Sequence, residues 1–189
     1  MVENDKFEFM EETRMSEFRL LPVTKQDKHI FIHDVQEAFQ FGFEAEFGSS
    51  DEKILPEKDI EESFATKGSE AYFAVSDGEV VGGTIIVIDD ETKKNHLDLL
   101  YVKVGCQSKG TGQKIWKAIE ELHPETEVWE TCTPYFEKRN IHFYVNRLGF
   151  HIVEFYNQQH KDPHQSGEPA GGMPEGVGDE FFRFEKVMK

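Results

Sequence analysis

Residues 97–119 constrain the fold of this chain more than any other stretch. An apolar run, LDLLYVKV, meets a loop with glycines, GCQSKGTG, and the loop opens directly into the amphipathic pattern QKIWKAI. A strand that passes into a helix in this way gathers unpaired backbone N–H groups at the helix start, where they can hold phosphate. From Lys103 to Lys117 there are four lysines and no acidic residue, although the formal net charge is −16. We therefore predict an anion site at this junction.

Length and composition favour one domain. The 189 residues are close to the usual size of a single domain. Residues 1–15, with five acidic side chains, are predicted to be an acidic extension, and residues 16–189 a single domain. Residues 157–179 are rich in Gly, Pro, Gln and His, which predicts a flexible loop insertion.

The charge balance bears on partners and location. Lys and Arg number 21 against 37 Asp and Glu, which argues against nucleic acid and is compatible with a cationic substrate. The chain lacks an apolar run of about 18 residues, so we expect no membrane span. The N-terminus lacks the features of a secretory signal, and two cysteines make a poor disulfide framework. A cytoplasmic location is the resulting prediction.

The apolar periodicities predict an α+β fold with a mixed, mostly antiparallel central sheet of about six to seven strands flanked by helices. The strand 127–133 is expected to run parallel to the strand 96–104, because a helix crosses over between them. The other predicted strands cover 18–23, 70–75, 80–88, 150–156 and 181–187, and the helices cover 28–48, 56–67, 113–122 and 138–148.

Two common phosphate loops do not fit this junction. A Walker A loop has the spacing from Gly105 to Gly110, but Thr111 stands where the motif requires lysine. A dinucleotide-binding loop requires a third glycine after Gly110-Thr111-Gly112, and the chain continues instead with Gln113, Lys114 and Ile115. Both nucleotide-binding classes are therefore excluded.

The pattern that fits is Gln107-x-x-Gly110-x-Gly112. It resembles the pyrophosphate loop, Arg/Gln-x-x-Gly-x-Gly/Ala, of the GNAT superfamily of acetyl-CoA-dependent N-acetyltransferases. A second resemblance lies downstream, where Asn140, Phe143-Tyr144 and Leu148-Gly149-Phe150 are similar to the C-terminal motif of that family. The two motifs come in the family's order and at its usual separation. The resemblance covers roughly residues 17–156 and the last strand.

This resemblance implies a GNAT fold and acetyl-CoA as cosubstrate, with no metal. Backbone groups of Val102 to Val104 would pair with the pantetheine arm, and the loop amides would hold the pyrophosphate. The implied cofactor-binding residues are Val102, Lys103, Val104, Gln107, Ser108, Lys109, Gly110, Thr111, Gly112, Gln113, Asn140 and Tyr144.

The implied activity is direct transfer of the acetyl group to a primary amine. The acceptor is a small molecule or a peptide or protein amine, and a homodimer is left open. The alternative is a catalytically silent acyl-CoA-binding sensor or regulatory module on the same fold. The sequence does not identify the acceptor.

The resemblance makes Tyr144 the general acid for the departing sulfur. The alternative for Tyr144 is a core aromatic, because it shares an apolar helix face with Ile141, Val145 and Leu148. The general base is open among three residues. His96 and Asp98 alternate with Leu100 and Val102, which predicts one shared strand face, and Glu130 on the neighbouring strand is the third candidate.

Overall fold

A computed structural model describes residues 17–107, 110–163 and 180–189. The predicted extension 1–15 and most of the predicted loop 157–179 lie outside the described residues. The strands are β1 (Phe18–Pro22), β2 (Ser69–Ser76), β3 (Glu79–Val87), β4 (Lys94–Val102), β5 (Val128–Pro134), β6 (His151–Tyr156) and β7 (Phe181–Val187). The helices are α1 (Lys28–Phe47), α2 (Glu57–Ala65), α3 (Thr111–Leu122) and α4 (Lys138–His142), and α4 continues into a π-helical segment, Phe143–Leu148.

The strands form one seven-stranded sheet in the order β1-β2-β3-β4-β5-β7-β6. β4 and β5 pair in parallel, whereas the other neighbouring strands pair antiparallel. The predicted mixed sheet with a parallel pair at its centre is therefore confirmed. The predicted turn between β2 and β3 is also confirmed, with φ of +53° at Asp77 and +87° at Gly78.

Two cores cover the two faces of the sheet. On one face, α3 packs Trp116 against Trp129 of β5 and against Phe150, which follows the π-helical segment. On the other face, α1 packs Phe31 and Val35 against the first strands and β4. The phenylalanine-rich face of α1 therefore belongs mainly to the core, as its helical spacing suggests.

β4 and β5 separate soon after they begin to pair. Their pairing covers only Lys94–His96 and Val128–Glu130, so the described residues provide no partner strand on that side for the remaining part of β4. At the point of separation the Thr131 hydroxyl donates a hydrogen bond to the Leu97 carbonyl over 2.8 Å. A gap therefore opens between the carboxyl ends of the two strands, with Thr131 at its closed end.

Replacing Thr131 by valine is expected to lower the free energy of unfolding by about 1–2 kcal/mol, because it leaves the buried Leu97 carbonyl without a donor. Thr131→Ser keeps the hydroxyl and should recover most of that loss. Urea denaturation of the three proteins measures the difference. Equal stability of the valine variant and the wild type would contradict the bridging role of this hydrogen bond.

A β-bulge in β4 corrects one prediction. Ile85 pairs with Leu99 and Ile86 with Leu97, so Asp98 is an extra residue without a partner on β3. The sequence predicts that His96 and Asp98 share a strand face with Leu100 and Val102. This is wrong, because the bulge shifts the alternation and turns Leu100 and Val102 to the α3 face, the same face as Leu97.

The predicted helix 138–148 is present but is not a continuous α-helix. α4 ends at His142, and residues Phe143–Leu148 continue with the wider π-helical turn. A π turn holds one more residue than an α turn and is frequent at functional sites. Gly149 ends the segment with φ of +79°, as its place after the apolar pattern predicts.

Candidate active site

A cavity of about 570 Å³ lies beside the end of β4, beyond its pairing with β5. Four parts of the chain form its walls: the C-terminal half of α1, the end of β4, the loop with the start of α3, and α4 with its π-helical continuation. The lining residues are Ala38, Phe39, Gly42, Glu46, Leu100, Tyr101, Val102, Gln107, Gly110, Thr111, Gly112, Gln113, Glu137, Arg139, Asn140, His142, Phe143 and Arg147.

The start of α3 presents backbone N–H groups to this cavity. Gly110 caps the helix with φ of +72°, a conformation that favours glycine. Its carbonyl accepts the N–H of Lys114, so the amides of Thr111 to Gln113 precede the first intrahelical hydrogen bond. Ser108 and Lys109, which the sequence places in the same loop, lie outside the described residues. The described part is chemically suited to an anionic group.

Gln107 lines the cavity and also shapes the loop. Its side-chain oxygen accepts the backbone N–H of Gly105 over 2.8 Å. The Thr111 hydroxyl donates to the Cys106 carbonyl over 3.2 Å, which ties the helix start back to the preceding turn. Gln107 therefore holds the loop through its neutral amide, whereas an arginine at this position would add a charge.

Lys103 is engaged elsewhere. Its ammonium group forms an ion pair with the buried Asp34 carboxylate over 3.0 Å, and its backbone N–H donates to the Val81 carbonyl over 2.9 Å. Lys103 therefore offers neither a free charge nor a free N–H to a ligand, which corrects its predicted pairing with pantetheine. Because backbone groups alternate along a strand, the N–H and carbonyl of Val102 point to the opposite side, into the gap. Val104 does not line the cavity.

The wall formed by α4 fits closely against the loop. An added Cβ at Gly112 would lie 2.8 Å from Cζ of Phe143, so a larger residue there would force the ring or the start of α3 to shift. Asn140 lines the cavity on the same wall, as its place in the predicted C-terminal motif suggests. The two predicted motifs therefore meet across one cavity.

Tyr144 is buried in the core and directly follows Phe143, which lines the cavity. Its side chain is 9 % exposed and packs against Phe150 and Phe184. Its phenol is near Thr131, the residue that closes the β4–β5 gap, and burial raises the pKa of this phenol to about 12. Tyr144 is thus a core aromatic whose protonated hydroxyl sits at the closed end of the gap, although it is not among the residues that line the cavity.

The three predicted base candidates form a separate group. His96 and Glu130 are direct partners across β4 and β5, and both carboxylates, of Asp98 and Glu130, act on the His96 imidazole, whose pKa is lowered by burial. Glu130 also accepts a hydrogen bond from Arg183 over 3.2 Å. The structure brings these residues together, but none of the three lines the described cavity.

Two carboxylates that the sequence did not single out do line the cavity, Glu46 on α1 and Glu137 at the start of α4. Burial raises the pKa of Glu137, the charge of Glu46 raises it further, and Arg139 opposes the rise. The sequence offers no signal for this pair, because the two residues are 91 positions apart in a chain with 37 acidic residues.

Tyr101 is a further cavity residue without a sequence signal. It is 2 % exposed, and its hydroxyl has no hydrogen-bond partner among the described residues. Burial and the nearby Asp34 carboxylate raise the pKa of this phenol far above its usual range, so it is protonated. An orphaned buried hydroxyl on a cavity wall is a group that a bound molecule can satisfy.

Two other features bear on the sequence predictions. Possible metal ligands of His33, Asp34 and Glu37 lie within 4.8 Å of one another, but Asp34 is already paired with Lys103. We assign no metal to this group. No helix in the described residues is long and apolar enough to cross a membrane.

Comparison with known proteins identifies the family. The sequence model of the Acetyltransferase (GNAT) family matches residues 32–150, which includes every described wall of the cavity. The chain belongs to this family. A relative, the uncharacterized protein YrkN of Bacillus subtilis, is 46 % identical over 161 residues, covering 84 % of this chain and 87 % of that protein.

Solved GNAT structures share the fold. The ribosomal-protein-S18-alanine N-acetyltransferase of Escherichia coli matches with a TM-score of 0.64 at 12 % identity, over 92 % of this chain and 95 % of that one. A GNAT acetyltransferase of Elizabethkingia anophelis with acetyl-CoA bound matches with a TM-score of 0.61 at 14 % identity, over 90 % and 98 % of the two chains. The predicted GNAT fold is confirmed, and acetyl-CoA is the cofactor of this family.

Proposed function

We propose that this protein transfers an acetyl group from acetyl-CoA directly to a primary amine. One observation carries the proposal: a single cavity joins the end of β4, beyond its pairing with β5, to the start of α3 and to α4. The backbone groups of Val102 and the amides at the start of α3 suit an extended thioester that carries a pyrophosphate.

In this proposal the donor is held by backbone groups. The amides of Thr111 to Gln113 bind the pyrophosphate at the positive end of α3. Because residue 107 is glutamine and not arginine, the helix start makes the main contribution to pyrophosphate binding. The N–H and carbonyl of Val102 face the gap and pair with the amide groups of the pantetheine arm, as an added strand would. Asn140 lies on the facing wall.

The reaction then needs an acid, an oxyanion donor and a base. The amine nitrogen attacks the thioester carbonyl, the C–N bond forms and the C–S bond breaks. An N–H of β4 near Val102 stabilises the developing oxyanion. Tyr144 donates its proton to the departing sulfur, because a phenol with a pKa of about 12 is protonated at neutral pH.

Direct transfer is favoured over an acyl-enzyme on cysteine. Although Cys132 is an exposed residue, desolvation of its thiol, and after it the charge of Asp162, raises the pKa of this thiol to about 11, so little of it is thiolate near neutral pH. For the base, His96, Asp98 and Glu130 stay candidates that would act through water from outside the cavity.

The proposal is tested by mixing the purified protein with acetyl-CoA and a panel of primary amines and measuring release of free thiol. We expect turnover with at least one amine, and an increase in melting temperature with CoA of several degrees. Stabilisation by CoA without turnover on any amine would support the sensor alternative instead. Absence of both effects would reject a CoA site.

A further inference from the structure

Two carboxylates, of Glu46 and Glu137, line the cavity and are called its acidic end, while Arg139, His142 and Arg147 line the same cavity. Phe43 and Phe47 of α1 pack against Phe136, with ring centroids 6.3 and 5.4 Å away, and so join the end of α1 to the connection between β5 and α4. Glu46 directly precedes Phe47 in the sequence, and Glu137 directly follows Phe136. The aromatic contacts therefore fix these two carboxylates on facing walls of the cavity.

Glu137 lies near the proposed acid, because its charge acts on the Tyr144 phenol. In the proposed reaction the thioester lies at Tyr144, and therefore near Glu137.

The carboxylate of Glu137 is suited to bind a cation. The side chain is half-buried, and no hydrogen bond or ion pair holds its carboxylate in the described part of the chain; Glu46 on α1 and Arg139 on α4 are the charged groups that face it. The unpaired, buried hydroxyl of Tyr101 lies on the wall of the same cavity. A hydrogen-bonding cation satisfies an unpaired carboxylate as well as such a hydroxyl.

We propose that Glu137 is the general base, that Glu46 and Glu137 together bind the ammonium group of the acceptor, and that the acceptor is therefore an aliphatic amine that is protonated at neutral pH. This proposal rests on the proposed acetyl transfer. Glu137 takes one proton from the ammonium group, and the nitrogen attacks the thioester. Tyr144 protonates the departing thiolate and regains a proton from the tetrahedral nitrogen. The products are the amide, free CoA and one proton.

The pH dependence has a defined sign. Glu137 acts as a base only when it is ionised, so kcat/KM rises with pH through the pKa of Glu137 and then levels off. Because that pKa is raised by burial and by Glu46, the acidic limb lies at higher pH than for an ordinary glutamate. Removing the charge of Glu46 moves the limb to lower pH, an effect that a merely structural role would not produce.

The experiment compares Glu137→Gln, Glu46→Gln and a control, Glu79→Gln, in which the carboxylate is exposed on β3 and does not line the cavity. With 1,4-diaminobutane, Glu137→Gln is expected to lower kcat/KM by roughly a hundredfold and to abolish the acidic limb. Glu46→Gln should raise KM for this diamine and shift the limb to lower pH. The control should match the wild type. An amine that is uncharged at neutral pH, such as aniline, should be a poor substrate of the wild type.

Several outcomes overturn the proposal. One is a Glu137→Gln enzyme that keeps the rate and the limb; another is loss of the limb in Asp98→Asn while Glu137→Gln keeps it. An unchanged acetyl-CoA-induced increase in melting temperature shows that each variant is folded and binds the donor. Failure of the wild type to acetylate any amine rejects the proposed function itself, so the two failures are distinct.

Discussion

Tyr144→Phe is expected to lower kcat by roughly a hundredfold while KM for acetyl-CoA stays close to its wild-type value, because general acid catalysis contributes about that much. The substitution removes one oxygen and leaves the contacts with Phe150 and Phe184 in place. Steady-state kinetics across pH, followed by thiol release, measures the effect. The loss in kcat should be largest when the chemical step limits the rate, and smaller with an acceptor for which product release limits it.

Tyr72→Phe is the matched control for this variant. Tyr72 is a partly buried tyrosine on β2 whose hydroxyl donates to Glu70 and which does not line the cavity. Its loss should leave kcat unchanged. If Tyr144→Phe behaves like this control across the whole pH range, Tyr144 is a core aromatic and no more, and the acid must be sought elsewhere.

The second large effect is expected for Gly112→Ala, which should weaken CoA binding by roughly ten- to a hundredfold. Its new Cβ would lie 2.8 Å from Cζ of Phe143, so the ring or the start of α3 must shift. Either movement displaces the amides that are proposed to hold the pyrophosphate. Isothermal titration with CoA measures the affinity directly.

Gly68→Ala separates this effect from general destabilisation. Gly68 has φ of +82°, and its added Cβ would lie 2.2 Å from the Ile88 carbonyl oxygen, far along the chain from the loop. This variant should unfold more easily, by about 1–3 kcal/mol, and still bind CoA with the wild-type affinity. If both glycine variants lose CoA binding equally, the loop has no special role.

The sequence predicted the arrangement of elements well because the relevant signals are local. A helix between two strands implies a parallel pair, and Asp77-Gly78 implies a tight turn. Glycines at a strand-to-helix junction likewise placed Gly110 and Gly112 at the start of α3. These signals depend on neighbouring residues alone.

The predictions that were wrong concern features that tertiary contacts determine. Nothing in the alternation of His96, Asp98, Leu100 and Val102 shows that Asp98 is the extra residue of a bulge, because a bulge is defined by the partner strand. The engagement of Lys103 depends on Asp34, 69 residues earlier. The spacing of Ile141, Tyr144, Val145 and Leu148 fits an α-helix as well as the observed π-helical segment.

The sequence did not predict the acidic end of the cavity, for a related reason. Glu46 and Glu137 acquire their meaning only from the contact of Phe47 with Phe136. In an acidic chain, a carboxylate is ordinarily a solvated surface group. Only its half-burial in a cavity distinguishes Glu137 from the others.

The π-helical segment Phe143–Leu148 lies between the cavity wall and the start of β6. Phe143 packs against the loop and Tyr144 lies in the core, and Gly149 ends the segment before β6 begins. Deleting one residue within this segment would leave an ordinary α-helical turn and rotate the Tyr144 side chain relative to the start of β6.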